Sequence, residues 1–325
     1  MADTTVAIPF GAAFLSLKNP VLTASGTFGY GLEFAPYGDL ASLGGIVVKG
    51  LSLKPRPGNP MPRIAETPAG MLNAIGLQNC GIKEFIERKL PRLPWKTLPV
   101  IANLYATSSD EFAELASALA KEEGIAALEV NISCPNVQCG GVLFGQDPAL
   151  AERVTTAVKK AAGNKPVILK LSPNVTDITT IAKACEAGGA DMLSCINTLQ
   201  GMSVDIRTRK NRLANGIGGL SGPAVKPVAL RCVWQVSRAV TIPVIGLGGA
   251  SSAEDVLEFI LAGAYAVQIG TANLVQPDTA FRIAAELPGL MDTLGIASLE
   301  TFRGTLQPSA THKTPPPCAK SGTGQ

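Results

Sequence analysis

The sequence predicts an α/β fold, a (β/α)8 TIM barrel with inserts at the C-terminal face of its strands. Eight short apolar or β-branched runs recur along the 325 residues, helical stripes separate most of them, and glycine-rich turns follow the last two. The competing architecture, a doubly wound sheet, would carry a GxGxxG turn after its first strand, and none is present there.

Taken in order, residues 6–17 are apolar but lack the cationic start of a signal peptide, since Asp3 precedes them and the first lysine is Lys18. They read as short early strands. Barrel strands are expected at 21–24, 46–49, 100–104, 127–132, 167–171, 192–196, 243–246 and 266–270. Phe112, Leu115, Ala116 and Leu119 repeat at helical spacing after Asp110, and Ile178, Ile181, Ala182 and Cys185 form a second stripe closed by Gly188 and Gly189. A third stripe, Val256, Leu257, Ile260 and Leu261, starts after Ser252 and Asp255 and stops at Gly263. A serine there accepts a hydrogen bond from an unpaired amide of the first turn. Three inserts, 51–81, 135–147 and 198–223, exceed ordinary strand-to-helix loops. All follow strands, so they are expected to crowd the barrel mouth. Residues 1–306 read as a single barrel and 307–325, with Pro315, Pro316 and Pro317, as a flexible tail.

Composition removes several chemistries. The net charge is +3 with no long basic run, which argues against a nucleic-acid partner. No stretch approaches the roughly 18 apolar residues of a membrane span. The seven cysteines are odd in number and scattered, as expected for reduced thiols in the cytoplasm. The one histidine, His312, lies in the Pro-rich tail, so histidine triads, multi-histidine zinc sites and HExxH chemistry lack their parts.

Polar groups gather at strand ends. The run 127–132 leads into Ser133, Cys134, Pro135 and Asn136, and Cys134 is the group there able to exchange a proton near neutral pH. Gly246, Gly248 and Gly249 before Ser251 and Ser252, and Gly270 before Thr271, would let backbone approach a phosphate after the seventh and eighth strands. Either turn alone reads equally as simple chain reversal; together they point to a phosphorylated ligand. Lys49 and Lys170 end or occupy strands, where a lysine needs an anion or an electron-rich ligand unless it snorkels to solvent. A Schiff-base lyase would use such a lysine too. Asn103, Asn131 and Asn197 near strand ends, with Asn73 in the first insert, suit a ring of alternating C=O and N–H groups, though also a sugar or an amide. Cys134 and Cys139 lack the continuation of an iron–sulfur motif, and Cys185 and Cys195 read as small core residues.

Longer motifs add a resemblance. Ser25-Gly26-Thr27-Phe28-Gly29, Asn73-Ala74-Ile75-Gly76-Leu77-Gln78-Asn79, Asn131 to Asn136, Lys170-Leu171-Ser172-Pro173-Asn174 and Gly219-Leu220-Ser221-Gly222-Pro223 resemble class 1 dihydroorotate dehydrogenases, over about residues 8–300. Ser25 through Gly31, and Asn136 through Gly141, are similar to the NAD-linked class 1B catalytic subunit. The resemblance implies a barrel with FMN at its mouth, contacted by Ser25, Lys49, Gly50, Asn103, Asn131, Lys170, Ile196, Gly222, Gly248, Gly249, Gly270 and Thr271. It also implies that Lys49, Asn73, Ala74, Ile75, Gly76, Leu77, Asn131, Asn197 and Thr198 hold dihydroorotate or orotate. Cys134 would take the C5 proton while the C6 hydride passes to the flavin. A separate electron-transfer subunit with FAD and a 2Fe–2S cluster would carry electrons to NAD, docked on a homodimer of this chain in a heterotetramer. The competing readings are a fumarate-linked dihydroorotate dehydrogenase, a dihydrouridine synthase-like FMN barrel, and a flavin-free Schiff-base lyase.

Overall fold

Eight parallel strands close into a barrel in the computed structural model, which describes residues 2–133 and 144–307. Cys134, Cys139, His312 and the chain beyond 307 lie outside the described residues. The strands are β1 (Val21–Thr23), β2 (Gly45–Val47), β3 (Val100–Leu104), β4 (Ala127–Asn131), β5 (Val167–Leu171), β6 (Met192–Cys195), β7 (Val244–Leu247) and β8 (Ala266–Ile269). Each pairs with its neighbours in sequence, and β8 returns to β1. Every residue of β3 and β5 is buried. Parallel strands covered on both faces read as continuous apolar runs rather than alternating ones.

The three expected helices form: α1 (Ser109–Ala120), α3 (Ile178–Ala187) and α5 (Ala253–Leu261), with α2 (Pro148–Ala161), α4 (Lys226–Ala239) and α6 (Thr279–Leu294) beside them. The side chains of Ser108, Asp147 and Asp177 cap α1, α2 and α3, and Ser252 with Asp255 makes a reciprocal capping box on α5. The first two crossovers carry only short turns, Ala35–Tyr37 and Leu40–Ser42, then Gly81–Glu84 running through Phe85–Lys89 and Leu90–Arg92. Pro36 and Pro91 sit within these turns, and proline withholds the N–H a longer helix needs. Ahead of the barrel, Val6–Phe10 and Ala13–Leu17 form a hairpin whose Val6, Ile8, Leu15 and Leu17 join the main core.

Two of the inserts meet each other. Strands Ile64–Thr67 and Gly70–Asn73 leave the end of β2, while Leu199–Met202 and Ile217–Ser221 leave the end of β6. Together they make a four-stranded antiparallel sheet, Ile217–Ser221 against Gly70–Asn73 at its centre, over a small core of Ala65, Leu72, Ala74 and Leu213. Gly70 allows the close approach: a methyl there would lie 2.0 Å from the Ser221 carbonyl oxygen.

Candidate active site

The side chains that matter leave the C-terminal ends of the barrel strands, and strand register brings them together. Asn103 on β3 lies beside Glu129 on β4, while Lys170 on β5 lies beside both Asn131 on β4 and Ser194 on β6. Because side chains alternate along a strand, Glu129 and Asn131 share one face.

Glu129 is fully buried. A carboxylate in that position costs several kcal/mol unless it is paired and hydrogen-bonded. Its Oε2 accepts from Asn103 Nδ2 at 2.7 Å, and its Oε1 accepts from Gln268 Nε2 at 2.6 Å and Ser194 Oγ at 2.9 Å. Lys170 Nζ lies 3.8 Å from Oε2, and Lys170 itself is only 5% exposed. This lysine therefore does not snorkel to water; its ammonium is kept within the barrel beside a buried counter-charge.

Above this layer the amides interlock. Asn131 Oδ1 accepts from Asn197 Nδ2 at 3.1 Å and from the Ser133 amide at 3.2 Å, and Ser133 Oγ donates to the Lys170 carbonyl at 2.9 Å. Asn197 Oδ1 accepts from the Thr198 amide at 2.8 Å, and the Thr198 carbonyl accepts from Asn174 Nδ2 at 2.9 Å. Asn73 Nδ2 donates to the Gly219 carbonyl at 3.2 Å, tying one insert to the other. In the segment that follows, Asn59 Nδ2 holds the Ala74 carbonyl at 2.9 Å, and Leu77 sits at φ +60°, a left-handed conformation that costs a branched side chain about 1–2 kcal/mol.

Lys49 follows β2 and is half-buried, its amide donating to the Gly29 carbonyl at 2.7 Å. Burial holds its ammonium below the usual lysine range, and the nearby charges of Arg63 and Lys170 push it further down. Three cationic side chains thus face a common region, with Glu129 as the partner of one. A region so charged favours an anionic ligand.

The glycine turns follow the seventh and eighth barrel strands. Gly248 and Gly249 follow β7 at φ +126° and +83°. A methyl on Gly249 would fall 2.8 Å from both the Gly222 carbonyl oxygen and the Lys226 amide nitrogen. The start of α5 is more committed than the sequence suggests, because Asp255 Oδ2 already accepts the amides of Ser251 at 2.7 Å and Ser252 at 3.1 Å. Burial alone would raise the Asp255 pKa, but Lys226 and the Ser251 donors outweigh it and hold the carboxyl below its ordinary value. Gly270 and Thr271 follow β8, and Thr271 Oγ1 donates to Ser221 Oγ at 2.7 Å, fastening the insert sheet to the barrel rim. Ser25 follows β1, Gly50 follows β2 and Ile196 follows β6, so these residues also occupy the same end of the barrel.

Burial raises the thiol pKa of Cys80, Cys185 (to about 12), Cys195 and Cys232. None of these is a poised thiolate. Among the described residues, no cluster of three or more acidic, histidine or cysteine side chains is set to hold a metal, and no helix is long and apolar enough to cross a membrane.

A dihydroorotate dehydrogenase family model matches residues 11–291. The chain belongs to the dihydroorotate dehydrogenase family. Among its relatives, the dihydroorotate dehydrogenase B (NAD(+)) catalytic subunit of Solidesulfovibrio magneticus is 72% identical over 305 residues, covering 94% of this chain and 98% of that protein. The protein of the same name from Maridesulfovibrio salexigens is 71% identical over 91% of this chain and 97% of its own length. That of Pelobacter propionicus is 58% identical over the same shares.

Within this family member, Ser25, Lys49, Gly50, Asn103, Asn131, Lys170, Ile196, Asn197, Thr198, Gly248, Gly249, Gly270 and Thr271 lie at or just past the C-terminal ends of barrel strands. Asn73 to Leu77 and Gly222 lie on the two inserts, and Cys134 lies outside the described residues. Sequence reasoning passed over Glu129, Ser194, Gln268 and Arg63. Glu129 did leave a signal, a charge in an apolar strand two residues before Asn131. Arg63 left none, since its position beside Lys49 depends on how the first insert folds back.

Proposed function

We propose that this chain oxidises (S)-dihydroorotate to orotate in de novo pyrimidine biosynthesis, with NAD as final acceptor through a partner subunit. The observation that carries this reading is the mouth itself, where Lys49, Arg63 and Lys170 bring positive charge to the same barrel end as Asn73, Asn131 and Asn197. A carboxylate-bearing ring of C=O and N–H groups matches both features.

The residues present fit FMN. The Gly248–Gly249 turn, at positive φ values that favour glycine, presents side-chain-free backbone at the strand ends where barrels commonly hold phosphate. Ser25, Lys49, Gly50, Asn103, Asn131, Lys170, Ile196, Gly222, Gly248, Gly249, Gly270 and Thr271 would hold the cofactor. When bound, FMN supplies the two-electron acceptor that no side chain here provides. Lys49, Asn73 to Leu77, Asn131, Asn197 and Thr198 orient the pyrimidine, and the rigid amide ladder through Asn131 and Asn197 limits the poses it can take. Cys134 takes the proton from C5. The electron-transfer partner carries FAD and a 2Fe–2S cluster and docks on a homodimer of this chain.

The test is direct. The gently purified chain should show flavin absorbance that dihydroorotate bleaches anaerobically, yielding orotate. A colourless protein that neither binds added FMN nor yields orotate would sink the reading, and turnover with fumarate as efficient acceptor would move it to the fumarate-linked class.

A further inference from the structure

We infer that Glu129 is a positioning residue: its buried carboxylate fixes Lys170 and Asn103 and sets how much positive charge the barrel presents to the flavin. The inference rests on the proposed flavin site and adds a residue that lies beneath it.

Five of the eight strands converge on this one carboxylate. It comes from β4 and meets Asn103 of β3, Lys170 of β5, Ser194 of β6 and Gln268 of β8. All its hydrogen-bond partners donate, the arrangement suited to an ionised, acceptor-only carboxylate. A charge here is exceptional, since the buried polar side chains of the barrel strands are Glu129, its partners Asn103, Lys170, Ser194 and Gln268, and Thr23, within an otherwise apolar core. Replacing the whole buried cluster by well-packed apolar residues would often serve stability at least as well, whereas removing Glu129 alone would leave the buried Lys170 without its counter-charge.

The two partners explain what the charge is for. Lys170 Nζ has Glu129 at 3.8 Å, close enough for strong attraction in a buried setting yet beyond hydrogen-bond length, so the ammonium is neutralised without being fully engaged. Asn103 is turned by the same carboxylate. With Nδ2 committed to Glu129, its Oδ1 faces Gly50, where a methyl would come within 2.8 Å. Both Lys170 and Asn103 belong to the proposed flavin site, and Glu129 is the group that touches both. A cation near a flavin favours its reduced, anionic form, so the buried counter-charge tempers that preference.

The experiment uses the full chain loaded with FMN and compares flavin midpoint potentials. Glu129→Gln keeps the shape and removes the charge. It should shift the reduced-to-oxidised ratio at fixed potential at least about tenfold toward reduced flavin, about 30 mV positive for a two-electron couple. Ser194→Ala removes a hydrogen bond but no charge; it should lower the melting temperature and leave the potential in place. Should Glu129→Gln not retain flavin, Glu129→Asp withdraws the charge from Lys170 by one methylene and should move the potential in the same positive direction. An unshifted potential in the substituted Glu129 protein, or an equal shift in Ser194→Ala, overturns the inference while leaving the proposed function standing. Failure of the unsubstituted chain to bind FMN removes both.

Discussion

Lys49 is charged at a place where the folded chain resists charge. Its ammonium pKa is lowered from 10.5 by burial first and by Arg63 and Lys170 next. A lysine whose folded pKa is depressed binds its proton more tightly when unfolded. Its charge therefore costs stability at neutral pH, and stability rises as pH climbs from the folded value toward 10.5. Lys49→Met should raise the melting temperature of the ligand-free chain while weakening orotate binding by about 10- to 100-fold, the range for losing a charge-assisted hydrogen bond. Titration calorimetry checks this, and in the unsubstituted chain affinity for the anionic ligand should fall as pH rises through the lowered pKa. Equal affinity in Lys49→Met would remove this lysine from the ligand site. Cys134→Ser should retain flavin but slow its reduction by dihydroorotate by about 10²- to 10⁴-fold, because a hydroxyl is a far weaker base. Stopped-flow reduction at an unchanged rate would exclude the thiol as base.

At the scale of elements, Asp255 serves both the α5 capping box and the glycine turn before it. Asp255→Ala frees the amides of Ser251 and Ser252 and leaves Lys226 without this partner, so it should cost about 1–2 kcal/mol and weaken FMN retention. Because the Asp255 pKa is depressed, its contribution is complete above 3.8 and fades as pH falls through the lower folded value. Melting curves of both proteins should converge in acid; a gap that persists there would assign the loss to packing instead. The Ser252 and Asp255 signature was legible in the sequence because a cap is a local device. So were the barrel strands, whose continuous apolar runs need no distant information. The insert sheet was not. Its central strands hold Gly70, Gly218 and Gly219 and pair across a long stretch of chain, so neither propensity nor alternation marks them. Lys170 was recognised as chemically costly from its strand alone, but its neutralisation by Glu129 follows from strand register, which the one-dimensional pattern does not carry.

For the whole molecule, the sequence contains neither a GxGxxG fingerprint after the first strand nor iron–sulfur cysteine spacing. The isolated chain should therefore pass electrons from dihydroorotate to artificial acceptors and reduce NAD poorly, with full NAD turnover only when the proposed electron-transfer subunit is added. Steady-state assays with and without that subunit decide the matter. Efficient NAD reduction by the pure chain would show that the route lies within this polypeptide.

The sheet made from two inserts also imposes a timetable on synthesis. Asn73 and the Gly219 carbonyl it holds are 146 residues apart, with β3 to β6 between them. A ribosome delivers Gly70–Asn73 early and leaves it waiting while half the barrel emerges. The sheet is completed only after Ser221 has appeared, and Thr271 must follow before its hydroxyl can fasten that sheet to the rim. Competence to bind therefore comes late in translation, and a nascent fragment released before Leu199 carries most of the charged groups of the mouth without the wall that would confine a ligand among them.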